Sequence, residues 1–160
     1  MAVREYAERE VPADVVRTIL ESAHLTASAS NLQPWHFVLV QDREALRKLG
    51  SMVRTGPYIA GAAAAVIVAY EKERGDLGIS DGSRAIQSMM LTAWSQGVAS
   101  NWTGFAGRLD EVRKEFGFPD SYDVLAVVTL GYPKRKVIGN KKRKPLGEVV
   151  SAERFGTPLR

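Results

Sequence analysis

Ala27-Ser28-Ala29-Ser30-Asn31-Leu32-Gln33-Pro34-Trp35-His36-Phe37 is the stretch on which the reading of this chain turns. Pro34 crowds the backbone before it, so Gln33 cannot be helical. Ser28, Ser30, Asn31 and Gln33 therefore stand in a polar turn between two regular elements. On one side, Val15/Val16, Ile19/Leu20, Ala23 and Ala27 recur at helical spacing over residues 12–27. Pro12 suits the first turn of that helix, and Asp14 suits its positive end. On the other side, His36 to Val40 reads as a buried strand. Four polar side chains at one junction offer donors and acceptors to the edge of a planar heterocycle. They also serve an ordinary turn that satisfies its own backbone, and spacing alone leaves both readings open.

Asp42 is placed to cap a short helix ending near Gly50. Gly56-Pro57 breaks the chain before a strand over Ala62–Tyr70. Gly75 to Gly82 reads as a loop, with Ser80 or Asp81 capping a helix that stops at Gly97. The Glu71 to Ser80 loop is short, which argues against a large substrate lid. Ile86, Met89/Met90, Ala93 and Trp94 form that helix's apolar stripe. A strand over Val98–Trp102 ends at Thr103-Gly104, a short helix spans Asp110–Phe116, and Val124–Leu130 is a further strand. The remainder is a basic, extended tail. Trp35, Trp94 and Trp102 are expected in the core, and His24 and His36 in structural roles. Helices and strands interleave with uneven connections, which favours an α+β fold with a mixed, mainly antiparallel sheet. No internal repeat or linker divides residues 1–160, so one domain is expected.

The chain has 160 residues, with 22 Lys+Arg against 18 Asp+Glu. Residues 134–144 (KRKVIGNKKRK) hold seven of those bases and no acid, so the rest of the chain is net −3. One concentrated cluster suits a small phosphorylated ligand better than a surface tracking a nucleic acid. There is no Cys, and His occurs only at 24 and 36, which argues against a metal centre or a Cys nucleophile. The same lack of Cys suits a reducing cytoplasm. The most apolar run, Ala60 to Tyr70, is far shorter than the ~20 residues a spanning helix needs. The N-terminus has no apolar export core.

Phosphate-loop, dinucleotide-fingerprint, nucleophile-elbow and metalloprotease motifs are all absent. No side chain stands out as an obligatory acid, base or nucleophile. Either the chain is not an enzyme or a bound cofactor carries the reaction.

Ala27 to Phe37 resembles the P-S-x-x-N-x-Q-P-W-x-F stretch of the FMN-dependent nitroreductase family. Three further stretches fit in the same order. Val3-Arg4-Glu5-Tyr6, followed by Val11-Pro12, resembles the end of its N-terminal R-R-S-x-R-x-[FY] motif. Asn101-Trp102-Thr103-Gly104-Phe105 resembles its strand-to-loop segment over the flavin. Gly131-Tyr132-Pro133 and Lys141-Lys142-Arg143-Lys144-Pro145-Leu146 resemble its C-terminal G-Y-P and K-x-R-x-P pieces.

The resemblance implies FMN at the interface of a homodimer whose C-terminal extensions are exchanged. It implies that Arg4, Lys141 and Arg143 hold the phosphate and ribityl chain. It gives Ser28, Ser30, Asn31 and Gln33 to the flavin of the partner subunit, and Thr103 and Gly104 backbone groups beside the ring. The activity implied is a ping-pong transfer from NAD(P)H through flavin N5 to a nitroaromatic, quinone or similar acceptor. A reductive dehalogenase, a flavin-consuming enzyme and a flavin-sequestering protein are alternatives. Ala2 stands where the family has Ser, Ala27 where it has Pro, and the arginine pair would fall at Met1 and before it. These departures imply weaker FMN retention or a start upstream of Met1.

Overall fold

The computed structural model describes residues 2–137 and 141–159. The middle of the basic tail, 138–140, and the arginine-pair position at Met1 lie outside the described residues. Helix α1 spans Ala13–His24, with Pro12 just before it and Asp14 in its first turn. The 3₁₀ turn Ala29–Asn31 leads into β1, Trp35–Val40. Helix α2, Arg43–Met52, starts as expected: the Asp42 carboxylate accepts the backbone N–H groups of Glu44 and Ala45. A 3₁₀ segment, Pro57–Gly61, precedes β2, Ala64–Glu71. Helix α3 (Gly75–Ser95), β3 (Ala99–Thr103), α4 (Asp110–Glu115) and β4 (Tyr122–Gly131) complete the body.

The four strands form one sheet in the order β1-β2-β4-β3, antiparallel at every pairing. Among the described residues the parallel element is a single bridge, Ala2 to Ser100, on the outer side of β3. β2 is central and buried on both faces, which explains its unbroken apolar run. Ala64, Val66, Val68 and Tyr70 face α1 and α3, packing with Ile19, Ile86, Met89 and Leu125. Ala65, Ile67 and Ala69 face the other way, against Leu46, Leu49, Val112 and Phe118. The period of two along the strand thus sorts alternate residues into two helical layers.

The expected loop over Gly75–Gly82 is instead the first two turns of α3. A Cβ at Gly78 would meet the Tyr70 ring at 2.6 Å, and one at Gly82 would meet Leu125 at 2.8 Å. These glycines let the helix lie close on β2 and β4, and that packing outweighs their poor helix propensity. Asp81 is accordingly not a cap but a buried residue in mid-helix. The Glu71–Ser80 segment is a 3₁₀ turn, Lys72–Arg74, running into helix, and not the short loop expected.

Trp35 is buried and Trp102 half-buried, but Trp94 is exposed on α3, against the core role expected of it. His36 is exposed, and its ring meets Phe118 and Tyr122 edge-on. Among the described residues, no helix is long and apolar enough to cross a membrane.

Candidate functional site

The N-terminal segment is tied to the sheet before α1 begins. Val3 N–H donates to the Ser100 carbonyl at 3.2 Å, and Ala7 N–H to that of Tyr132 at 2.8 Å. The buried Tyr6 hydroxyl donates to the Val3 carbonyl at 2.8 Å and shares a hydrogen bond with Thr129. Burial pushes the Tyr6 phenol up to about 12 from 10.0. The folded protein thus holds this proton more tightly than the unfolded chain. The associated stability is fully present below pH 10.0 and is lost as pH rises towards about 12. In Tyr6→Phe we expect a loss of about 1 kcal/mol at neutral pH. We also expect a shallower decline in stability above pH 10.0, measured by urea titrations across the alkaline range. Tyr70 and Tyr122, both raised chiefly by burial, keep part of that slope.

This anchoring places Arg4 beside Tyr58, with its guanidinium 5.7 Å from the ring centre. Tyr58 in turn accepts a 2.6 Å hydrogen bond from the side-chain amide of buried Asn101 on β3. Two residues along β3, the Thr103 hydroxyl meets that of Thr55 at 3.0 Å. Gly104 follows at φ +77°, left-handed backbone that glycine adopts without a Cβ penalty. A Cβ there would come within 2.7 Å of Leu109. Arg4, Thr103 and Gly104 therefore share the β3 edge of the sheet. The Ala2–Ser100 bridge covers only the start of that edge.

The polar turn lies elsewhere. Ser30, Asn31 and Gln33 have φ of 50°, 56° and 52°, three left-handed non-glycine residues within four positions. Such backbone costs free energy unless its surroundings enforce it. Here Ser28 Oγ accepts the Gln33 N–H at 2.9 Å, the Ser28 carbonyl accepts the Asn31 N–H, and Gln33 Nε2 donates to the Asn31 carbonyl. Asp81 on α3 accepts the Ala29 N–H at 3.1 Å and pairs with Arg84. Ser28 and Gln33 thus serve the turn itself, while Ser30 and Asn31 are exposed. The turn enters β1, the opposite edge from β3, roughly 14 Å away across three strand spacings.

Lys141 and Arg143 are exposed, and neither makes an ion pair among the described residues. The backbone hydrogen bonds described over 141–159 stay within that tail. Leu146, Val149, Val150, Phe155 and Leu159 are exposed along it. The structure thus brings Arg4, Thr103 and Gly104 together, but not with the turn residues or the tail cations. A cavity of about 670 Å³ between α1 and β1 is lined mainly by apolar groups such as Val16, Leu20, Phe37 and Leu39. It contains none of the expected site residues.

Three residues escaped the sequence reading. Asp81 looked like a cap, because an acid amid Ser and Gly is the usual capping signal. Asn101 carried one weak sign, an amide within a strand, and Tyr58 carried none.

Residues 1–82 and 56–132 match the sequence profile described as the nitroreductase family. A protein of Archaeoglobus fulgidus named for NADH dehydrogenase and NAD(P)H nitroreductase is 34% identical over 140 residues. That match covers 83% of this chain and 80% of the relative. An FMN-dependent nitroreductase from Clostridium difficile superimposes with a TM-score of 0.89 at 25% identity, over 97% of this chain and 95% of the other. The NADPH:FMN oxidoreductase of Vibrio harveyi, solved with NAD+, shares the fold with a TM-score of 0.85 at 22% identity. It is covered over 76% of its length by the whole of this chain.

Proposed function

The chain belongs to the nitroreductase family, and from that premise we propose an NAD(P)H-dependent oxidoreductase that works through FMN by a ping-pong cycle. Its acceptor in this reading is a small electron-poor molecule, such as a nitroaromatic or a quinone. The carrying observation is the division of the polar groups between the two edges of the sheet. A tricyclic ring resting on Thr103 and Gly104 of one chain is out of reach of that chain's own turn. It is within reach of the turn of a second copy, so the site is completed in a homodimer.

The residues present fit FMN. The β3 edge beyond Ser100 offers uncovered backbone, and Gly104 permits close approach of a flat ring. Arg4 carries no carboxylate partner among the described residues, and Lys141 and Arg143 supply the charge that a phosphate needs. When bound, FMN supplies the redox centre that takes electrons from NAD(P)H and gives them to the acceptor. The chain's own share is binding and exclusion of water. Arg4, Lys141 and Arg143 neutralise the phosphate and ribityl end. Thr103 and Gly104 orient the ring through backbone groups. Ser28, Ser30, Asn31 and Gln33 of the second copy close its polar edge. No titrating side chain of this chain is assigned a proton-transfer role.

The tail belongs to the same proposal. Its five exposed large apolar side chains have no core of their own, and exchange with the partner buries them. Residues 1–160 then act as one FMN-binding unit, located with its dinucleotide reductant in the cytoplasm.

Light scattering, visible spectroscopy and anaerobic NADPH addition test this directly. We expect a yellow dimer that bleaches with NADPH and regains colour with a nitroaromatic or a quinone. A monomer with full flavin occupancy would overturn the shared site, and a yellow protein that neither NADPH nor NADH can bleach would overturn turnover.

A further inference from the structure

A second cavity, of about 410 Å³, opens beside Gly104 between the segment Val53–Thr55 and the turn leading to Leu109. Its floor is apolar: Val53 and Leu109 are buried. Phe105 stands beside them with half of its surface exposed. Arg54 and Arg108 complete the lining, and no acid lines this cavity. Among the described residues neither arginine forms an ion pair, although Asp110 lies two positions from Arg108. Asp110 is engaged instead by Arg113 and Lys114. Two like charges beside one apolar hollow repel each other, and among the described residues no carboxylate pairs with either of them.

We infer that this cavity holds the anionic substituent of a planar substrate, with Arg54 and Arg108 as its cations and Phe105 as its stacking wall. Guanidinium forks match carboxylate and phosphate oxygens, and an exposed aromatic beside an apolar floor suits a flat ring. The volume lies within the usual range for small-ligand sites. The inference rests on the reading that the flavin ring lies against Thr103 and Gly104, because Gly104 lines the cavity. The anion has two possible sources, a carboxylate on the electron acceptor or a phosphate of the reductant.

The test uses the FMN-loaded protein, wild type against Arg54→Gln, Arg108→Gln and the double variant. Benzoate and its neutral analogue benzyl alcohol are titrated by calorimetry. The kcat/KM ratios of 4-nitrobenzoate to 4-nitrobenzyl alcohol, and of NADPH to NADH, are then measured. We expect benzoate to bind more tightly than benzyl alcohol, and each substitution to weaken it by about tenfold. A collapse of the acceptor ratio assigns the anion to the acceptor, and a collapse of the dinucleotide ratio assigns it to the reductant. If benzoate affinity and both ratios are unmoved in the double variant, the inference is wrong. It is also wrong if that variant loses FMN affinity while keeping riboflavin, since the arginines would then read the cofactor's own phosphate. Calorimetry does not depend on flavin. Failure to take up FMN would defeat the proposed function, and the benzoate titration would still decide the cavity.

Discussion

Replacing Arg143 with alanine weakens FMN binding about ten- to a hundredfold and leaves riboflavin binding nearly unchanged. The range follows from a charge-assisted hydrogen bond worth roughly 1.5–3 kcal/mol, with about 1.4 kcal/mol for each factor of ten. Arg143 is the one arginine in the Lys-Lys-Arg-Lys run 141–144. Its planar fork can bind two phosphate oxygens at once, whereas its lysine neighbours act as single mobile charges. It is also exposed and outside the packed body, so its removal leaves the fold intact. Riboflavin lacks the phosphate and serves as the control ligand, and Lys144→Ala serves as the control substitution. The measurement is a titration of flavin-free protein with both ligands. Equal losses for FMN and riboflavin in Arg143→Ala would show that the residue supports the assembly and does not read the phosphate.

Asp81→Ala destabilises the protein by about 2 kcal/mol and weakens flavin binding as well. The Asp81 carboxylate is buried, and it accepts the Ala29 N–H while pairing with Arg84. Arg84 is half exposed, so the ion pair itself contributes little. The larger loss is the hydrogen bond to Ala29, which braces the three left-handed residues of the turn. Without that brace, Ser30 and Asn31 are no longer held in the conformation that presents them. Asp81→Asn keeps an acceptor and should fall between wild type and Asp81→Ala in both respects. Thermal unfolding and FMN titration check the pair. If Asp81→Ala melts with wild type and retains FMN, the turn does not depend on α3.

Local chemistry was readable along the chain wherever it decided local structure. Asp42 before α2, Pro12 before α1 and Pro34 after Gln33 act through their immediate neighbours, and the elements they mark start where expected, although α1 ends at His24 and leaves Ala27 outside it. Gly78 and Gly82 act through Tyr70 and Leu125, which are distant in sequence. A glycine-rich segment therefore read as a loop and folded as helix. Trp94 fitted an apolar stripe by spacing, yet the sheet lies on the other side of α3, and the ring is left exposed.

The site divides in the same way. Residue types and their order along the chain were enough to identify the family and, through it, the flavin. Position in the sheet was not legible from order in the chain. The polar turn feeds β1 and Gly104 follows β3, and only the strand order β1-β2-β4-β3 puts them on opposite edges. The brace from Asp81 and the hollow beside Gly104 are equally products of packing. Each is made by residues that come together only after the long-range contacts have formed, and no periodicity or motif records such contacts in advance.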